Sequence, residues 1–325
     1  MHPAFSVIFL TTLIGVGQGL FLALFTVESY AAFDLLPKQD SRFYALSSAL
    51  ALGFLIAGLI ASFFHLGHPE RAWRSAAKWR TSWLSREVIV LPAFMGVVFL
   101  YGAAHYTGFN PLLATLPSGA PVNVTAILGV AGTVLAFALF VCTGMIYACL
   151  RFLQEWHTPL TVINYTLLGG TSGFLLATAL AVLAAPEVMR FYAGWTLILS
   201  LLALVGRAAS LRRNARLKPK STLRTAIGVK HPRIVQKAQG AMGGSFNTRE
   251  FFHGKSATLL RQVKWMFLLL VFPLPVGLLA GGVATGSLAL LLSAFAVQYL
   301  GLLAERWFFF AQANHPQNLY YQAVS

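Results

Sequence analysis

Charge is scarce in this chain. Asp, Glu, Lys and Arg together make up 10% of its 325 residues, where a soluble domain carries roughly 25%. So few charges cannot cover a water-facing surface, which excludes a soluble enzyme and a disordered chain. Cysteine is almost missing too. The only two, Cys142 and Cys149, are seven residues apart in one apolar run. Along a helix that is about 10 Å, too far for a disulfide, and two thiols cannot hold a cluster that takes four. They read as small core residues. The opening Met1-His2-Pro3-Ala4-Phe5 lacks the basic segment of a secretory signal and no small-residue cleavage site follows, so the first apolar run reads as a retained span.

What the chain has in abundance is apolar length. A bilayer core of roughly 30 Å needs about 20 apolar residues per helix, and eight runs qualify: 4–33, 43–64, 87–106, 124–152, 160–184, 189–210, 263–284 and 286–311. The pattern predicts an all-α integral membrane protein, a single polytopic domain over 1–325, with the eight spans free to form two four-helix bundles. A long connection, 211–262, separates spans six and seven. Small-residue pairs at Gly15/Gly19, Gly169/Gly173 and Gly277/Gly281 mark places where helices are expected to approach closely.

Eight spans leave both termini on one side, called side A. Of the 24 Lys and Arg residues only Lys38, Arg42 and Arg190 belong to the opposite side B. The rest gather on side A: five in the second connection, Arg151 in the fourth, the set from Arg207 to Lys264 assigned to the sixth, and Arg306 near the end. By the positive-inside rule side A, with both termini, is cytoplasmic. Basic charge placed this way faces lipid headgroups and water, or an acidic partner, and carries no nucleic-acid signature.

The eight histidines fall in loops or at helix ends, and no two are placed to face each other across spans, so a bound haem is not expected. Gly254-Lys255-Ser256 resembles the end of a phosphate-binding loop, but Arg249 stands where its first glycine belongs. The densest constellation is the second connection. His65 and His68 end span two, Arg71, Trp73, Arg74, Trp79 and Arg80 follow, and Trp83, Ser85, Arg86 and Glu87 open span three. A quinone pocket needs these parts: aromatic, lipid-accessible walls, a histidine to hydrogen-bond a carbonyl, and a carboxylate to relay protons. Gln18, near the middle of span one, is a further candidate, as intramembrane polar groups generally are. The plainer alternative is an aromatic belt with snorkelling arginines. Glu28, Asn164, Tyr165 and the Glu305-Arg306 pair are weaker candidates near helix ends.

The long connection changes character along its length. Residues 211–237 are basic and nearly free of acids, whereas 240–254 alternates glycines with Phe246, Asn247, Arg249, Glu250, Phe251, Phe252 and His253. Three phenylalanines on the water side want cover, from a docked subunit or from the loop folding back.

At these residues the chain resembles a known family, the membrane anchor subunits of the dimethyl sulfoxide reductase type. The likeness runs from His2-Pro3-Ala4-Phe5-Ser6-Val7 and Gly17-Gln18-Gly19 through His65-Leu66-Gly67 and Trp83-Leu84-Ser85-Arg86-Glu87. The resemblance implies a haem-free subunit that reacts with ubiquinone or menaquinone. Its partners would be a four-cluster ferredoxin-like iron–sulfur subunit and a molybdopterin catalytic subunit, which hold all the metal. It also implies that His65 and Glu87 serve the quinone, in an inner membrane. Within the family, Trp79–Glu87 and 244–254 look most like membrane subunits of quinone-linked sulfite dehydrogenases. A cytoplasmic side A agrees, since those complexes are thought to work in the cytoplasm. Protons taken up on the side of substrate oxidation imply a subunit that does not itself pump. An anchor oxidising menaquinol, an anion transporter and a purely structural anchor are the competing readings.

Overall fold

The computed structural model describes residues 1–117, 119–218, 222–231, 233–235 and 254–316. The expected docking residues Phe246, Asn247, Arg249, Glu250, Phe251, Phe252 and His253 lie outside the described residues. The chain is an all-α integral membrane protein, with eight helices among the described residues long and apolar enough to span a bilayer. Six are α1 (Phe5–Ala32), α2 (Ser41–Phe63), α3 (Trp83–Thr107), α4 (Val124–Ala148), α5 (Pro159–Ala184) and α6 (Met189–Asn214). A short α7 (Leu223–Ile227) follows. The seventh span is broken into α8 (Ala257–Val271) and α9 (Pro273–Thr285), and α10 (Leu288–Ala311) is the eighth. The only other regular elements described are 3-10 turns, one of them at Pro69–Lys78, and a small antiparallel hairpin of β1 (Leu112–Thr115) and β2 (Pro121–Asn123).

Local chemistry sets the helix ends. Asp40, Ser82, Thr158, Ser256 and Ser287 each cap an N-terminus with a side-chain oxygen that accepts a backbone N–H. The Ser82 cap starts α3 four residues before the apolar run at 87, and the Ser256 cap starts α8 at Ala257, inside the stretch read as a loop. The sixth connection is correspondingly shorter than 211–262 at both ends. Pro273 has no N–H to donate, and the seventh span breaks there, at Phe272. Gly286, at φ 65°, ends α9 in the left-handed region that a side chain resists.

α1 packs against α2 and α4, α2 against α3, and α3 against α4, closing one ring. α5 packs against α6 and α10, α10 against α8 and α9, and α9 against α6, closing another. The seam between the rings is α1 on α5. There the glycines are a requirement, because a Cβ on Gly19 would overlap the carbonyl of Gly169 and one on Gly173 would overlap the backbone of Gly19. Without a hydrophobic drive between helices in lipid, such backbone proximity and its dispersion contacts hold them together. The third pair does not behave this way. A Cβ on Gly277 meets nothing within 4 Å and one on Gly281 only touches Leu290.

Candidate functional site

On side A the expected constellation divides into an outer and an inner part. His65 lies exposed just past the end of α2. Its neighbour Phe64 lines an apolar groove of about 330 Å³ with Ser6, Phe9 and Leu13 of α1 and Ala57, Ile60 and Ala61 of α2. Partial burial lowers the His65 imidazole below its ordinary pKa. His68 and Arg71 are engaged locally, since Glu70 Oε1 lies 3.1 Å from His68 Nδ1 and 3.6 Å from Arg71 Nε, all three exposed. Arg86 ties the 3-10 segment to α3 by donating to the backbone carbonyls of Trp79 (2.9 Å) and Arg80 (2.8 Å). Its guanidinium lies 4.2 Å above the Trp83 ring, and that of Arg80 lies 5.4 Å from Trp79. This is an interfacial aromatic–arginine belt. Ser85 is buried and its backbone N–H closes the Ser82 cap.

The inner part begins at Glu87. This carboxylate is buried in the second turn of α3 and accepts a hydrogen bond from the Thr143 hydroxyl of α4. Thr143 lines a cavity of about 10 Å³ with Thr11, Thr12, Gln18, Tyr165 and Arg306, enough for a single water. Gln18 is buried and donates from Nε2 to the Ala136 carbonyl at 2.8 Å. The structure thus brings Glu87 and Gln18 together through Thr143. Among the described residues no hydrogen bond or ion pair joins His65, His68, Arg71 or Arg80 to Glu87.

Beside that cavity the Glu305-Arg306 pair has a third member that the sequence did not reveal. Arg207, assigned above to the sixth connection, stands inside α6 and is only 2% exposed. Its Nε is 2.8 Å from Glu305 Oε1, while Arg306 Nη1 is 3.0 Å from Oε2 of the same carboxylate. The Arg306 guanidinium also lies 3.6 Å over the Tyr165 ring. A second cavity of about 10 Å³, lined by Glu155, Asn164, Tyr165, Arg207, Asn214 and Glu305 among others, continues from this cluster toward side A. Burial raises the pKa of Glu155, in the loop outside the spans. The available signal was an arginine directly after Gly206, inside the apolar run 189–210 rather than beyond it.

Side B holds a second polar centre. Glu28 accepts hydrogen bonds from Tyr101 and Thr125 at 2.6 Å each, and His105 Nε2 is 3.5 Å away. His105 stacks on Tyr44 with centroids 4.6 Å apart. Glu28 and His105 border a cavity of about 830 Å³ between α1, α3, α4 and the β-hairpin. Glu28 therefore has a set of partners, where the sequence placed only a residue near a helix end.

The sequence profile described as DMSO reductase anchor subunit (DmsC) matches residues 1–230. A protein of Allochromatium vinosum named as a subunit of sulfite dehydrogenase is 60% identical over 325 residues, covering all of both chains. Eight spans, a seam of facing glycines and a profile match over most of the length agree: the chain is a multi-pass membrane protein that belongs to the DMSO reductase anchor subunit family.

Proposed function

We propose that this chain is the membrane anchor and quinone-reactive subunit of a molybdopterin/iron–sulfur oxidoreductase, passing electrons from cytoplasmic sulfite oxidation to quinone. The observation that carries the reading is the full-length identity of 60% with a protein named as a sulfite dehydrogenase subunit. Sulfite and water give sulfate, two electrons and two protons on the catalytic partner. Quinone takes two electrons and two protons on this one. The iron–sulfur clusters and molybdopterin belong to a four-cluster ferredoxin-like subunit and a catalytic subunit docked on side A, in part through 240–254. Side A is the cytoplasmic face of an inner membrane, by its Lys and Arg excess.

The side A geometry supports this assignment. The groove beside His65 is apolar, open to lipid and of a size that suits a ring with its tail. His65 follows Phe64, a residue lining the groove, and its neutral ring is the assigned donor to a quinone carbonyl in this reading. Glu87, held inside the bundle by the Thr143 hydroxyl, is the carboxylate assigned the proton relay in this reading. Arg71, Arg80 and Arg86 raise the local positive potential where negative charge develops on the ring. The test uses His65→Ala and Glu87→Gln in the intact complex. Quinone-coupled sulfite oxidation is expected to be lost, while dye-linked oxidation by the partner subunits survives. Unchanged quinone kinetics in both variants would remove the site. The family profile favours one second reading, an anchor that oxidises menaquinol for a dimethyl sulfoxide reductase. Turnover with menaquinol and dimethyl sulfoxide, and none with sulfite, would establish it instead.

A further inference from the structure

The side B cavity plays no part in the reading above, yet it is the largest described. Its walls are apolar where they face the bilayer: Phe25 of α1 and Ile127 and Val130 of α4, the latter two 50% and 56% exposed. Its inner end is polar. Glu28 receives two hydroxyl hydrogen bonds at 2.6 Å, the short length typical of O–H donation to an ionised carboxylate. Of the polar atoms bordering the same space, the buried Asn123 Oδ1 has no hydrogen-bond partner among the described residues, and His105 Nε2 has only the Glu28 carboxylate, at 3.5 Å. His105 as a whole is only 8% exposed. Lys38, by contrast, stands among the lining residues in the α1–α2 connection, toward the water.

From this arrangement we infer that the cavity binds an aminophospholipid, with its primary ammonium against Glu28, its phosphate near Lys38 and an acyl chain leaving between Phe25 and Val130. The floor presents acceptors around a fixed negative charge, so the matching head is a cation with several N–H donors. A primary ammonium has three. A choline head carries the same charge and has no N–H to give. An oxidised quinone brings two carbonyl acceptors, which meet the Glu28 carboxylate and the Asn123 oxygen with the wrong polarity. An intramembrane carboxylate is costly unless its charge is balanced; the described residues offer Glu28 only the His105 imidazole, at 3.5 Å, and a bound ammonium supplies a full cation. The order of groups along the cavity, cation at the water side and anion deeper, is that of a zwitterionic head entering ammonium first.

The test is lipid retention by the full chain in its complex, placed in nanodiscs of phosphatidylcholine doped with phosphatidylethanolamine and read by native mass spectrometry. One tightly held phosphatidylethanolamine per anchor is expected, preferred over phosphatidylcholine by about tenfold, the worth of one hydrogen bond to a charged group. Glu28→Gln should bring the preference close to unity, and Asn123→Ala should lower it severalfold. Dye-linked activity confirms that the complex is assembled. If Glu28→Gln does not assemble, the wild-type comparison of the two lipids and the Asn123→Ala variant still decide the matter. Equal retention of both lipids overturns the inference. So does an adduct with the mass of a free amine such as spermidine, or a quinol adduct that Glu28→Gln abolishes.

Discussion

Glu305→Ala provides the sharpest test of the buried ion cluster. Glu305, Arg207 and Arg306 are 1%, 2% and 4% exposed, and one carboxylate bridges both guanidinium groups at 2.8 and 3.0 Å. The trio carries a net charge of +1 from two arginines and one glutamate. Deleting the carboxylate leaves two buried cations facing each other, a change that costs about 3–5 kcal/mol. Arg207→Met instead leaves Glu305 paired with Arg306, nearly neutral, with an apolar side chain of similar length against Phe267 and Phe308. It should cost markedly less. Glu70→Ala breaks only the exposed contacts to His68 and Arg71 and should cost under about 1 kcal/mol. Thermal unfolding of the three variants in one detergent gives the ranking directly. The reasoning is wrong if Glu305→Ala melts with Glu70→Ala, or if Arg207→Met is the least stable of the three.

The α1–α5 seam predicts that Gly173→Ala lowers stability by about 1–3 kcal/mol, as overpacking does, because its Cβ would overlap backbone at Gly19. Gly277→Ala, with open space around it, should melt like the parent. The proposed quinone site predicts a pH dependence of turnover set by His65. Burial lowers its pKa, so the ring is neutral at pH 7 and takes its proton only in more acidic medium than the ordinary value of about 6.5. If the neutral ring serves the quinone, the rate falls only below about pH 6.5, and His65→Asn removes that acid limb. An acid limb unchanged in the variant would assign it to another group.

Much of the architecture was legible because lipid imposes a crude rule, about twenty apolar residues per crossing, that needs no knowledge of packing. The boundary between the last two spans, marked only by Gly281-Gly282 and Thr285-Gly286-Ser287, falls at Gly286 as the glycine pattern indicated. Arg207 was misread for a physical reason. An arginine near a helix end is usually solvated, and only the later-encoded Glu305, 98 positions on, gives it a buried partner. The side B centre was hidden in the same way. Glu28, Tyr101, His105 and Thr125 come from three helices, and nothing in their local patterns announces that they converge. On side A sequence proximity overstated the grouping of the candidate residues. His68 and Arg71 turn to Glu70, while Glu87 faces inward to Thr143.

The middle of α1 has a bearing on energy conservation. Between Gln18 and Glu28 the helix buries Leu20, Phe21, Ala23, Leu24 and Val27 with no accessible surface. Nearby hydroxyls at Thr133, Thr171, Ser172 and Thr178 each donate back to their own helix four residues earlier. Two polar ends are thus kept apart by an apolar insulating layer. If the chain reduces quinone on side A as proposed, that step moves no proton across this layer, and building a proton-motive force falls to the enzyme that reoxidises the quinol.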